Sequence, residues 1–343
     1  MLSNVNFAHL DTYLNKALYY YDLPGLAVHV GIGDRDYFSS VGWQNALTKS
    51  LLQRNHIFHM ASVTKLFVST SILQLWEKGL LDLDEKLITY LPQFRMSDDR
   101  YRRITIRQLL SHTSGMPDVK DYHWDKPETD DGALLRYVLS PEVREAYLLF
   151  DPEEGKFAYS NIGYEILGAV IAAVSGKSFE DYVAENIFSP LGMDNSDLLT
   201  FRRNMDEVCA PHEKTKDNKF AIVKHFPYNR AHGPSSTLTS NLDDMAIWAQ
   251  AVLGKKILKP STFDVAWKEH SIVPNNQERI GLAWFRREQK GYFLYGHEGT
   301  DDGFRASFWV CPELDVSITV CSNLSGAPVK RINREIFDRL LSD

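Results

Sequence analysis

Apolar positions along this chain follow a strand-like period near both ends and a helical period through the middle. Residues 7–20 place apolar side chains at helical spacing. Two runs at 25–31 and 36–42 then read as strands, split by the turn-prone Gly31-Ile32-Gly33-Asp34. From residue 62 to about 204 the pattern predicts helices and loops, with helices over 62–78, 105–110, 132–139, 162–174 and 179–187 and few strands. In the first of these Leu66, Ile72, Leu73, Leu75 and Trp76 are apolar, and Gly79 stands where a helix end favours glycine. Ser240-Asn241-Leu242-Asp243 resembles a capping box opening a further helix, which Gly254 closes. Strands follow near 280–286, 292–295, 304–310 and 316–321, and a last helix near 329–341.

Short turns between the C-terminal strands imply antiparallel pairing. The two N-terminal strands hide their apolar face only by joining that sheet, so both ends of the chain build one lobe. The predicted fold class is α/β (α+β): an antiparallel β-sheet flanked by helices with an inserted, mainly helical domain. Residues 1–60 and 231–343 form the sheet domain and 61–230 the insertion, with the active site in the cleft between them.

Composition narrows the function classes. The 343 residues are 44% hydrophobic, enough for one large core or two packed lobes. Lys and Arg number 38 against 45 Asp and Glu, and the net charge of -7 disfavours nucleic acid as a partner. The N-terminus has no basic start followed by an apolar stretch, and the longest strongly apolar run, 166–174, falls far short of the roughly 20 residues of a membrane span. Three cysteines, Cys209, Cys311 and Cys321, fit a reducing compartment, with Cys311 and Cys321 read as small buried hydrophobes. The expectation is a soluble cytoplasmic protein without a membrane partner. Its oligomeric state is left open.

Ser62 and Lys65 are one helical turn apart, so an amine can sit beside the hydroxyl it would activate. Burial strips solvation from an ammonium and eases loss of its proton, while the unpaired N–H groups of a helix's first turn are ready oxyanion donors. The plain alternative is a serine cap and a solvent-facing lysine. Ala158-Tyr159-Ser160-Asn161 leads into the helix at 162. A phenol held partly ionised near a lysine shuttles protons, and an amide orients an amine, whereas the plain alternative is a core tyrosine and an asparagine cap. Gly296-His297-Glu298-Gly299-Thr300-Asp301-Asp302-Gly303 begins where the strand at 292–295 ends. Its glycines permit close backbone approach, so the Thr300 N–H offers a second oxyanion donor beside His297; the alternative is a glycine hairpin with an exposed histidine.

Taken in order, Ser62-Val63-Thr64-Lys65, Tyr159-Ser160-Asn161 and His297-Glu298-Gly299 resemble the three signature motifs of the class C β-lactamase and D-aminopeptidase-like serine hydrolases, a family that includes penicillin-binding-protein-like carboxypeptidases and esterases. Leu109–Pro117, Phe188–Met193, Gly233–Ser240 and the run from Gly303 look like the same family, so the resemblance spans nearly the whole chain. It implies that Ser62 forms an acyl-enzyme, with Lys65 and Tyr159 moving its proton and Asn161 positioning Lys65 and substrate. The N–H groups of Ser62 and Thr300 would hold the oxyanion, and His297 would polarise the region of Tyr159. Which of Lys65 and Tyr159 is the primary base stays open. No metal or organic cofactor is implied, and the partner is a small-molecule or short-peptide substrate.

The third motif departs from the Lys-Thr-Gly of class C β-lactamases: a fixed cation is lost and Glu298 stands in place of a small hydroxyl. A β-lactam carboxylate would meet like charge there, so a peptidase, amidase or esterase is expected ahead of a β-lactamase or D-Ala-D-Ala carboxypeptidase. A solvated Glu298 pointing away is the alternative. A non-catalytic sensor or binding protein is the reading from another class. Other chemistries find weaker marks. There is no Gly-Xaa-Ser-Xaa-Gly elbow, Ser175-Gly176-Lys177-Ser178 reads as a helix stop and restart, and His56 with His59 or Cys209 with His212 lack a third metal ligand.

Overall fold

The computed structural model describes residues 7–274 and 278–342. Residues 1–6, on which the reading of the N-terminus rests, lie outside the described residues. Among the described residues nine strands form one antiparallel sheet: β1 (Gly25–Ile32), β2 (Arg35–Asn45), β3 (Ser50–Leu51), β4 (Ser271–Ile272), β5 (Arg279–Ile280), β6 (Phe285–Gln289), β7 (Tyr292–Asp301), β8 (Phe304–Cys311) and β9 (Val316–Ser322). Their order is β3-β2-β1-β9-β8-β7-β6-β5-β4, so β1 pairs with β9, Leu26 opposite Ser322. Side chains alternate between the faces. Ala306, Phe308 and Val310 of β8 face the larger core, which holds the helix that follows Ser62, while Trp309 and Cys311 face α1 (Ala8–Tyr20) and the C-terminal helix Val329–Leu340.

The helix after Ser62, α2 (Thr64–Glu77), is buried on all sides from Thr64 to Leu73. Such a helix lies at the centre of a protein, and its polar side chains must find partners there. Ser69 Oγ donates to the Leu282 carbonyl at 2.8 Å, and Thr70 and Ser71 donate to carbonyls one turn back. Phe67 stacks on Trp248 of α4 (Leu242–Leu253), ring centroids 4.3 Å apart. At the far end Gly79 takes φ 70°; its N–H bonds to Trp76 O and that of Leu80 to Leu75 O, closing the helix as the sequence suggests. Helix α3 (Asn161–Ser175) packs on α2 and stops at Gly176 with φ 72°. Ser178 caps the short helix that follows.

Several boundaries differ from the sequence reading. Asn241, not Ser240, caps α4: its side chain accepts from Asp244 N, while Ser240 pairs with Phe58 in a two-residue strand. The strand expected over 280–286 is broken by a turn at 281–284, where the Ala283 N–H bonds to Leu110 O. The helical stretch also carries a small hairpin, His212–Lys214 with Phe220–Ile222. Strand β7 runs six residues past its expected end and takes the whole third motif into the sheet. Among the described residues no single helix is long and apolar enough to cross a membrane.

Candidate active site

Ser62 lies in a single 3-10 turn, Ala61–Val63, that feeds α2. Ala61 is held at φ 46°, a left-handed conformation uncommon for a residue with a side chain. Neighbours fix this turn: Met60 N–H bonds to Leu238 O, Thr64 Oγ1 donates to Ala61 O, and Leu238 N–H donates to Thr64 Oγ1.

One turn on, the fully buried Lys65 directs Nζ at three acceptors: Ser62 Oγ at 3.0 Å, Asn161 Oδ1 at 2.6 Å and Ser235 O at 2.7 Å. The amide of Asn161 has a defined sense, because its Nδ2 donates to Asp118 Oδ1 at 2.9 Å and leaves Oδ1 for the lysine. Ser160, rather than Asn161, caps α3, its Oγ accepting from Gly163 N–H, and so the Asn161 side chain is free for this task. Burial lowers the Lys65 pKa to about 8, against the opposing pull of Glu165, Asp118 and Asp301.

Tyr159 donates its hydroxyl to Ser62 Oγ at 3.0 Å. Its ring stacks on His112, centroids 4.4 Å apart, and His112 Nδ1 accepts from Ser160 N–H. Burial, then the charges of Asp118, Asp301 and Glu165, push the phenol pKa well above its ordinary value; the hydrogen bond to Ser62 only partly opposes this. The expectation of a partly ionised phenol is therefore corrected: burial away from water, reinforced by the carboxylates of Asp118, Asp301 and Glu165, favours the neutral phenol, and Tyr159 is a hydrogen-bond donor to Ser62.

His297 also differs from expectation. Its ring centroid is 6.3 Å from that of Tyr159, and Nδ1 meets the Glu298 carbonyl at 2.6 Å, so the ring turns toward its own strand. Burial and the Lys65 charge lower its pKa to about 3, which leaves it neutral and unable to polarise the phenol as a cation. Glu298 is not a solvated side chain. It lines the cavity, accepts the indole N–H of Trp309 through Oε1 at 2.7 Å, and has its pKa raised by burial.

Thr300 pairs with Arg305, next to the Asp301 and Phe304 pair that closes a two-residue turn. By the alternation of an antiparallel ladder its N–H points away from β8, to the edge that β6 leaves uncovered beyond Gly296. Gly299 lets that edge approach the turn that carries Ser62. A Cβ there would lie 2.2 Å from the Met60 carbonyl oxygen. The three motifs thus meet at one cavity of about 430 Å³, walled by Ser62, Tyr159, Asn161, His297, Glu298 and Thr300 and by the aromatic side chains Tyr122, Phe157, Phe285 and Trp309.

A match to the family model described as Beta-lactamase covers residues 10–342. The chain belongs to the beta-lactamase family. Penicillin-binding protein 4* of Bacillus subtilis (strain 168) is 32% identical over 203 residues, 58% of this chain and 43% of that relative, so the matched stretch is under half of its length. The octameric penicillin-binding protein homologue from Pyrococcus abyssi superposes with a TM-score of 0.86 at 22% identity, covering 99% of this chain and 78% of that one. The D-amino acid amidase from Ochrobactrum anthropi SV3, complexed with L-phenylalanine amide, gives 0.81 at 21% identity and covers 98% of both chains. At these identities the likeness to the two structures is one of fold: the mixed helices and antiparallel sheet of the beta-lactamase and penicillin-binding proteins.

The sequence reading did not single out Ser235, Asp118, His112, Ser236 or Asp301. Ser235 contributes only its backbone carbonyl, which no side-chain pattern reveals. Asp301 accepts from Ser236 Oγ and from the buried His59 at 2.8 Å, tying the end of β7 to two distant segments.

Proposed function

We propose that this protein is a serine hydrolase that forms an acyl-enzyme on Ser62 and acts on small amide or ester substrates, as a peptidase, amidase or esterase. The observation carrying this reading is the set of acceptors around Lys65. Asn161 Oδ1 and Ser235 O can only accept, so in the neutral amine both N–H groups are committed to them and the lone pair is directed at Ser62. Lys65 is accordingly the base in the free enzyme, and Tyr159 the neutral donor.

In the first step the Ser62 proton passes to Lys65 as Oγ bonds to the substrate carbonyl carbon, and the π pair moves to the oxygen facing the N–H groups of Ser62 and Thr300. Collapse of that intermediate breaks the bond to the leaving group. The leaving nitrogen or oxygen takes the Tyr159 proton, which Lys65 replaces. Water then attacks the ester and the same groups act in reverse. A fluorophosphonate tests the assignment directly: mass spectrometry should find one adduct, on Ser62, lost in Ser62→Ala. Labelling elsewhere with Ser62 untouched overturns it.

Substrate charge follows from the cavity wall. Among the described residues that line it, Glu278, Glu298 and Asp301 are the carboxylates and Lys330 the cation, and Glu278 is paired with Lys330 at 2.7 Å and with Arg334 at 3.0 Å. Neutral or cationic esters should turn over about tenfold faster than matched anionic ones near neutral pH, with Glu298→Gln narrowing the gap. Equal rates for anionic and cationic members of the series count against a selecting role for Glu298. The same wall disfavours β-lactams, whose carboxylate would face it.

A further inference from the structure

Glu165 is fully buried, yet no step above uses it. It follows Asn161 by one turn of α3, so both side chains project from the same face of the helix toward Lys65. Its Oε1 accepts from Ser235 Oγ at 2.5 Å and lies 3.3 Å from His232 Nδ1, while Oε2 accepts from Ser235 N–H at 3.2 Å. Both polar hydrogens of Ser235 are thereby bound, and its carbonyl is left for Lys65 Nζ. The turn bearing Ser235 has no slack against α3: a Cβ on Gly168 would lie 2.1 Å from Pro234 Cγ.

We infer that Glu165 is a positioning residue for the reaction, clamping Ser235 so that its carbonyl holds one N–H of Lys65 and keeps the amine directed at Ser62. One helix then fixes two of the three Lys65 contacts, Asn161 directly and Glu165 through one intervening residue. A buried carboxylate left without these donors would incur a desolvation cost, so the clamp and the charge support each other. Around Lys65 the charged and titratable neighbours are Glu165, Asp118, Asp301 and His297, with Tyr159, Tyr164 and His112 packed beside it. Around Glu165 they are Lys65, His232, Tyr122, Tyr137 and Tyr159.

The inference rests on the hydrolase reading, and the experiment separates the two. The second-order rate of Ser62 phosphonylation by a fluorophosphonate is measured against pH for the wild type, Glu165→Gln and Glu165→Ala, with thermal melting alongside. Glu165→Gln keeps the volume and one acceptor but loses the charge. Its acid limb should move to lower pH by about half a unit or more, because a buried carboxylate whose charge favours the Lys65 ammonium is gone, and its plateau rate should fall about tenfold. Glu165→Ala should lose about a hundredfold if it folds. A Glu165→Gln protein with a lower melting temperature but an unmoved pH profile and a plateau within twofold of wild type overturns the inference, since that is what a purely structural carboxylate gives. A wild type that is not labelled at Ser62 overturns the hydrolase reading instead.

Discussion

Lys65→Met leaves a folded protein whose Ser62 reacts with a fluorophosphonate about a thousandfold more slowly than wild type. A positioned general base supplies 10² to 10⁴ in rate, roughly, and methionine fills the buried space of the lysine side chain without offering a lone pair of comparable basicity. The substitution also strands Asn161 Oδ1 and Ser235 O, each left without its partner at about 1 to 3 kcal/mol, so a lower melting temperature accompanies the lost reactivity. The pH dependence separates the two effects. Lys65 serves in its neutral form and loses its proton at about 8, so the wild-type labelling rate should rise tenfold per pH unit below that value and level above it. In Lys65→Met that limb is absent. A variant that keeps both the limb and more than a tenth of the rate assigns the base elsewhere, Tyr159 being the first candidate.

Gly299→Ala should cut turnover of a neutral p-nitrophenyl ester by about a hundredfold, the scale of losing one oxyanion donor. The added methyl lands on the Met60 carbonyl, which is backbone and cannot rotate away, so either β7 or the turn carrying Ser62 must shift. The loss should fall on kcat, with KM changed little, because the Thr300 N–H matters most when charge develops on the oxygen. A Gly299→Ala enzyme within threefold of wild type would mean that the edge of β7 does not supply that donor.

The candidate site was legible because the chemistry it suggests is tied to spacing. Ser62 and Lys65 had to share a helical face, and they do. Much of the fold was legible for a related reason: apolar periodicity set α2 and α3 and the strands at both ends. What escaped was set by tertiary context. Residues 296–301 read as lying beyond the end of a strand at 295, with glycines that permit close backbone approach; the approach to Met60 at Gly299 is found, but β8 pairs along the whole run and keeps it inside the strand. The ionisation of Tyr159 depends first on its burial and then on the charges of Asp118, Asp301 and Glu165, all of which only folding brings about. Ser160 and Asn161 are both good caps by type, and only the structure tells which one is spent on the helix and which on the lysine.

Pairing β1 with β9 has a bearing on how the molecule assembles. While the chain is being made, the first strands emerge long before the one they must lie against, and until then their edge is open to other chains. Closing so wide a loop is slow, and in the interval the helices can pack only among themselves. Shortening the C-terminus past Val316 therefore removes the lock that holds beginning to end.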